Sequence, residues 1–420
     1  MINLLSVPSI NLEGNNHHFE LPPILNFPRG LYANAIEEKS GDLLVWRDPL
    51  GAHKIFYARA ADRQWVVANR IDDLIAAGIS LGDIHSCPGG ALIRINDHGY
   101  TVVNSCHPHN LPEDDSLSTK NLFIKVDERL SIAFQSLAKS YGEARFSVCL
   151  SGGLDSTIIA YYAKKYLPNI TAFSFSFVDD ADLLSDLSVV KLSDDFLSAQ
   201  KIAKALDIPL VPVIRPRGLV VDSISRAVIL GQDSRDFNAH CALINLFLAE
   251  SVRAYFPDGQ VVVLTGDLMN EFVCDYKEEL IDGVIYYPQP KISLARRRRF
   301  FTKGLEAGDR EVGVFSSFGL ILAQPYAAVA DLYLQLPIKE LEQSNAKVAL
   351  NGPLLPDHIL SQLNMAKTRA QVGGKDGGVL GICHRNGITQ DLLSSMWQKA
   401  FPGESVESIK SLIQVGNYRY

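Results

Sequence analysis

Hydrophobic positions change rhythm part-way along the chain. From Gly30 to about Val103 they fall in short runs separated by turn residues: Leu43-Leu44-Val45-Trp46, the turn Asp48-Pro49-Leu50-Gly51, Ile55-Phe56-Tyr57 and Trp65-Val66-Val67-Ala68. Runs of this kind predict β-strands. A polar connector from Pro108 to Lys120 follows, and a helical segment is expected from about Asn121 to Tyr141. Beyond it, apolar runs alternate with amphipathic stretches. Ala144 to Cys149, Ile170 to Phe177, Leu210 to Ile214 and Val261 to Thr265 read as strands, and Ile158 to Tyr166, Asp194 to Leu206 and Asn238 to Tyr255 as helices. Strands alternating with helices predict an α/β fold with a parallel sheet, whose ligands bind at the carboxyl ends of the strands.

The first of those strand-to-helix junctions carries the sharpest signal. Leu150-Ser151-Gly152-Gly153-Leu154-Asp155-Ser156-Thr157 lies between an apolar strand and a helix. Two glycines let the backbone turn tightly and approach a ligand closely, and the start of a helix offers N–H groups and a positive dipole end to an anion. The loop therefore reads as a phosphate cradle. Ser151 and Ser156 add hydroxyl donors, Asp155 can hold the Mg2+ that accompanies a nucleotide, and no lysine follows as a Walker loop would require. The plainer reading is a strand-to-helix turn with Asp155 or Ser156 as N-cap.

Composition narrows the field. The 420 residues suffice for two or three domains, and 47% hydrophobic with 21% charged residues suits a soluble globular protein. A net charge of −7 gives no general attraction to nucleic acid. Arg296 to Arg299 is the one basic run, read as a solvated helix face in preference to a phosphate or acidic-partner contact. The six cysteines lack paired C-x-x-C spacing and are expected to be reduced thiols. Cys106-His107-Pro108-His109 reads as linker, not as a metal site. A start without a basic flank and the lack of an eighteen-residue apolar run lead to the expectation of a cytoplasmic protein with no membrane span.

The S-G-G-L-D-S loop resembles that of the PP-loop ATP pyrophosphatases, which cleave ATP between its α and β phosphates and grip the departing pyrophosphate there. Asp48-Pro49-Leu50-Gly51, Val67 to Leu74 and Pro88-Gly89-Gly90 are similar, in that order, to the amidotransferase half of asparagine synthetases. Phe173 to Phe177, Asp195 to Ala203, Leu264 to Glu271, Asp309-Arg310, Gln324-Pro325-Tyr326 and Lys367 with Gly373-Gly374 follow in family order. The resemblance implies an asparagine synthetase or β-lactam synthetase-like protein. Residues 1–115 would form a small β-rich, degenerate amidotransferase-like domain of Ntn type, and residues 116–420 a Rossmann-like, PP-loop synthetase domain.

Site roles follow from the same resemblance. Leu150, Ser151, Gly152, Gly153, Asp155, Ser156, Thr157, Phe175 and Gly266 would bind ATP. Asp267 takes the acidic position associated with acid/base work, Lys367 a lysine position that stabilises charge on the acyl adenylate and pyrophosphate, and Asn270 the second Mg2+-ligand position, normally aspartate. Asp233, Arg235, Asn238, His240, Gln324 and Tyr326 are substrate-binding candidates; capping and surface solvation explain the first four equally well. The implied reaction adenylates a carboxylic acid, releasing pyrophosphate, and passes the acyl group to an amine or ammonia, releasing AMP, in specialised metabolite or modified-peptide biosynthesis.

Two departures shape that expectation. Met1-Ile2 stands where glutamine-dependent members carry a nucleophilic cysteine, so no glutaminase activity is expected. Gly319 to Ala328 replaces the charged residues of the family's G-L-E-V-R-x-P-F-L-D segment with apolar ones, which predicts a greasier acceptor pocket and disfavours aspartate. Alternatives are a nucleotide-binding pseudo-synthetase, favoured by Asn270, and another PP-loop enzyme such as a tRNA-modifying one. The sequence leaves a homodimer open.

Overall fold

A computed structural model describes residues 1–5, 10–13, 30–106, 110–182, 190–289, 291–302, 306–364, 371–372 and 378–400. Its N-terminal part is built of short strands: β1 (Ile2–Leu4), β2 (Ile10–Asn11), β3 (Gly30–Leu31), β4 (Ala33–Glu37), β5 (Leu43–Arg47), β6 (Phe56–Arg59), β7 (Trp65–Ala68), β8 (His85–Ser86), β9 (Ala91–Asn96) and β10 (Gly99–Ser105), with one helix, α1 (Ile71–Ala76). They form two four-stranded sheets, β1-β7-β6-β8 and β10-β9-β5-β4, and a separate antiparallel pair, β2-β3. The strands expected at Leu43, Ile55 and Trp65 are β5, β6 and β7.

The alternation read from the sequence builds the rest. Helix α2 (Leu122–Ser140) buries Leu122, Val126, Leu130, Ala133, Phe134 and Leu137, the three- and four-residue spacing of one helical face. Strand β11 (Arg145–Cys149) leads through the serine-glycine loop into α3 (Leu154–Tyr166). Next come β12 (Ile170–Val178), α4 (Asp194–Ala205), β13 (Leu210–Pro216), α5 (Leu219–Gly231), α6 (Asp236–Tyr255) and β14 (Val261–Leu264). After the short α7 (Met269–Val273) and the hairpin β15 (Glu279–Ile281) and β16 (Val284–Tyr286), α8 (Leu294–Thr302) and α9 (Glu306–Ser316) precede β17 (Ile321–Ala323).

Strands β11 to β14 and β17 make one parallel sheet in the order β13-β12-β11-β14-β17. Every residue of β12 and of β14 is buried, as expected for inner strands covered on both faces. In β12 the alternation Phe173-Ser174-Phe175-Ser176-Phe177 puts three rings on one face, where Phe175 stacks on Phe247 of α6 with centroids 5.9 Å apart. Burying each such ring is worth about 2–3 kcal/mol. The chain winds outward from β11 to β13, then returns to the other side of β11 as β14. The crevice between the carboxyl ends of β11 and β14 is thus the point where strand order reverses, the place at which sheets of this kind take ligands.

The N-terminal strands pack directly against this layer. Phe56, Val66, Ile71 and Leu74 share one apolar cluster with Val220, Ile224, Val312 and Phe315. Lys54, buried, donates to Gln232 O at 3.0 Å, and Arg70 donates to Gly313 O at 3.2 Å and Ser317 Oγ at 2.8 Å. No helix among the described residues is long and apolar enough to cross a membrane.

Arg298 corrects the reading of the basic run. Buried among its neighbours, it donates to Leu336 O at 2.6 Å and to Tyr333 O, carbonyls at the end of the helix Ala330–Gln335. A guanidinium there meets the negative end of the helix dipole, so this member of the run fastens two helices together while Arg296 and Arg299 are exposed.

Candidate active site

The serine-glycine loop closes on itself at the head of α3. Ser156 Oγ lies 3.0 Å from Ser151 Oγ, accepts from Ser151 N at 3.2 Å and donates to Gly153 O at 3.2 Å. Gly153 is the N-cap, so helix α3 starts earlier than Ile158 and carries Asp155 and Ser156 in its first turn. The first N–H groups of a helix have no partner within it, so a turn of this kind can seat an anion.

Two glycines make the close packing around the loop feasible. Gly152 has φ +68°, and a Cβ there would stand 2.4 Å from Ala199 N in α4. Gly266, just beyond β14, passes so close to the back of the loop that a Cβ would stand 2.8 Å from Ser156 N.

A cleft of about 670 Å³ opens over this loop. Leu150, Ser151, Asp155, Ser174 and Phe175 line it together with Thr265, Gly266, Asp267 and Asn270. Gly153 and Ser156 also line it, so the ATP-binding candidates are gathered around one space, with Gly152 behind it and Thr157 fully buried in α3.

The sequence reading did not single out the cation at the centre. Lys347, from the short helix Ala346–Asn351, places Nζ 2.7 Å from Asp155 Oδ2, 2.6 Å from Asn270 Oδ1 and 3.2 Å from Asp275 Oδ2. Its one available signal was being the only charge in the helix Ala-Lys-Val-Ala-Leu-Asn. The donor set gathered on this ammonium, two carboxylates and an amide oxygen, is the hard-oxygen chemistry that suits Mg2+. Lys367, with Gly373 and Gly374, lies outside the described residues.

Glu311 is the second unforeseen member. It sits on α9 on the same face as Val314 and Phe315, buried to 1% exposure, and accepts from Thr265 Oγ1 at 2.7 Å, Gln324 Nε2 at 2.8 Å and Asn245 Nδ2 at 3.1 Å. Burial, reinforced by the nearby Asp267 charge, pushes its carboxyl well above the usual glutamate range. Beside it, Arg310 lines the cleft with its guanidinium 3.8 Å from Asp267 Oδ1 and donates to Asn238 Oδ1 at 3.1 Å.

The substrate-binding candidates stand behind the cleft. Asp233 is buried and paired with Arg235, whose charge outweighs desolvation and holds the carboxyl below its usual range. Asn238 reaches the cleft through Arg310. His240 packs against Tyr287, with Nδ1 2.8 Å from its hydroxyl, and burial lowers its pKa to about 3. Gln324 holds Glu311, and Tyr326 donates to Asp155 O at 3.0 Å. The expected greasy pocket is also corrected: Ile321, Leu322 and Ala323 form β17 and pair with β14, while Arg310, Glu311, Lys277 and Glu279 give the cleft wall its charge.

Against known proteins, residues 125–307 match the family model described as asparagine synthase. That segment is an asparagine synthase-family domain. It holds the loop, β14 and Asn270, while Lys347 and Glu311 come from beyond its matched end. Among solved structures, the chain is similar to a glutamine-dependent NAD+ synthetase from Acinetobacter baumannii bound to ADP, at 11% identity over 76% of this chain, with a TM-score of 0.30. It spans only 51% of that protein. It is also similar to an NMN synthetase from Francisella tularensis, at 17% identity over 71% of this chain and 94% of the other, with a TM-score of 0.26. No curated protein matches the chain.

Proposed function

We propose that the chain is an ATP-dependent amide-forming ligase that adenylates a substrate carboxylate and passes the acyl group to an amine. The observation that carries this reading is the Ser151–Ser156 loop at the head of α3, facing Lys347 across the reversal point of the sheet. The asparagine synthase-family match over residues 125–307 supports an ATP-dependent amidoligase activity, and the adenylate route is our own assignment.

Adenylation answers a chemical need, since the oxide a carboxylate would have to expel is far too poor a leaving group. A carboxylate oxygen attacks the α-phosphorus, the bond from that phosphorus to the bridging oxygen breaks, and pyrophosphate leaves into the loop. Lys347 stands beside Asp155 to meet the developing negative charge, a preorganised electrostatic contribution of several kcal/mol. Mg2+ bound at Asp155 with the nucleotide would neutralise phosphate charge. The amine nitrogen then attacks the acyl carbon, the bond to AMP breaks, and the amine proton passes to Asp267, which lines the same cleft. Arg310 sets the orientation of that carboxylate. The amine is free, on a second substrate or on the activated molecule itself.

ATP–pyrophosphate exchange measured against a panel of carboxylic acids tests the first half-reaction without needing the amine. Exchange dependent on one acid class supports the reading; nucleotide binding with no exchange across the panel supports a pseudo-synthetase instead.

A further inference from the structure

The cluster around Lys347 contains a carboxylate that the sequence reading did not assign. Asn270 is the second residue of α7, and the helix closes on its C-cap Cys274, whose left-handed backbone (φ +56°) turns the chain back. Asp275 N then donates to Asn270 O at 3.0 Å, and both side chains converge on the same ammonium, at 2.6 Å from Asn270 Oδ1 and 3.2 Å from Asp275 Oδ2. Asp155 completes the set at 2.7 Å, and all three residues line the cleft beside the phosphate loop.

We infer that Asp275 is the second carboxylate of the divalent-cation site, supplying the charge that Asn270 lacks. Resting on the adenylation reading, this assigns the Mg2+ that travels with ATP to Asp155 and Asp275, with the Asn270 amide oxygen beside them on the same ammonium. The charge count favours it. Asp155 with Asn270 alone carries one negative charge, which Lys347 already cancels; Asp275 restores the pair of carboxylates that Mg2+ sites on nucleotides commonly use. Lys347 is the stand-in: a cation held by the same oxygens within the same cleft, which a metal bound there would displace toward the phosphates.

Mn2+ binding followed by electron paramagnetic resonance, with α,β-methylene-ATP present and the full chain throughout, tests the assignment without turnover. Asp275→Asn should weaken Mn2+ by about tenfold or more, since losing even a supporting partner of a metal ligand costs that much, and should leave metal-free binding of the analogue within a few-fold of wild type. The double variant N270D/D275N, which returns the charge to position 270, should restore Mn2+ affinity. Wild-type affinity in D275N, or no restoration in the double variant, overturns the inference and leaves the adenylation reading standing. A wild-type chain that takes up no nucleotide analogue overturns both.

Discussion

Lys347 Nζ lies 2.7 Å from Asp155 Oδ2, so a cation from a late, short helix reaches the first turn of the helix that the serine-glycine loop opens. Among the described residues lining the cleft, Lys277 and Arg310 are the other cations, and neither is paired with that loop. Lys347→Met should lower the single-turnover rate of adenylate formation by about 10²- to 10³-fold, the usual cost of removing one preorganised group from the site of developing charge. ATP affinity should fall far less. Rapid-quench kinetics beside calorimetric titration separates the two, and an unaltered rate would remove Lys347 from the chemistry.

Gly152→Ala tests the packing that shapes the cradle. The position needs φ +68° and the new methyl would press on the α4 backbone at 2.4 Å. Left-handed strain and overpacking together should cost about 2–4 kcal/mol, read as a lower denaturation midpoint in urea. Gly41, also at positive φ but with open space around it, should lose only the strain component.

Asn238→Ala tests the route from behind the cleft. Its amide oxygen accepts from Arg310 Nη1, and losing a hydrogen bond to a charged group costs about 1.5–3 kcal/mol. The expected result is a drop of at least about tenfold in kcat/KM for the amine step. Arg310→Lys should mimic it, because a lysine cannot bridge Asn238 and Asp267 as a guanidinium does.

Much of this was legible in the chain and some was not, for physical reasons. The loop could be read because glycine and serine at fixed offsets between a strand and a helix satisfy a local demand of the backbone. Strand and helix alternation was equally legible, since β11, β12, β13 and β14 are apolar throughout most of their length. Lys347 and Asp275 were hidden because their meaning lies in a convergence of distant elements, which no local pattern encodes. Glu311 left a faint trace as a charge on the apolar face of α9, one turn from Val314 and Phe315. The segment Gly319 to Ala328 misled the pocket reading because a motif transferred by order says nothing of which face its residues present.

Glu311 gives a pH signature. A carboxyl whose folded pKa is raised by burial and the Asp267 charge keeps its proton in the native state while the unfolded chain releases it. Stability is therefore unaffected well below the ordinary glutamate range and falls as pH climbs from that range toward the raised folded value. Glu311→Gln removes the linkage, so the melting temperature of the variant relative to wild type should rise over the interval in which pH climbs above the ordinary glutamate range. A difference constant over that interval would show that Glu311 ionises alike in both states.

The central claim concerns which phosphate bond breaks. With ATP labelled at the α position, the acid substrate class found by exchange, an amine and Mg2+, the account predicts labelled AMP and one pyrophosphate per amide formed. Labelled ADP with orthophosphate as the partner product would contradict it.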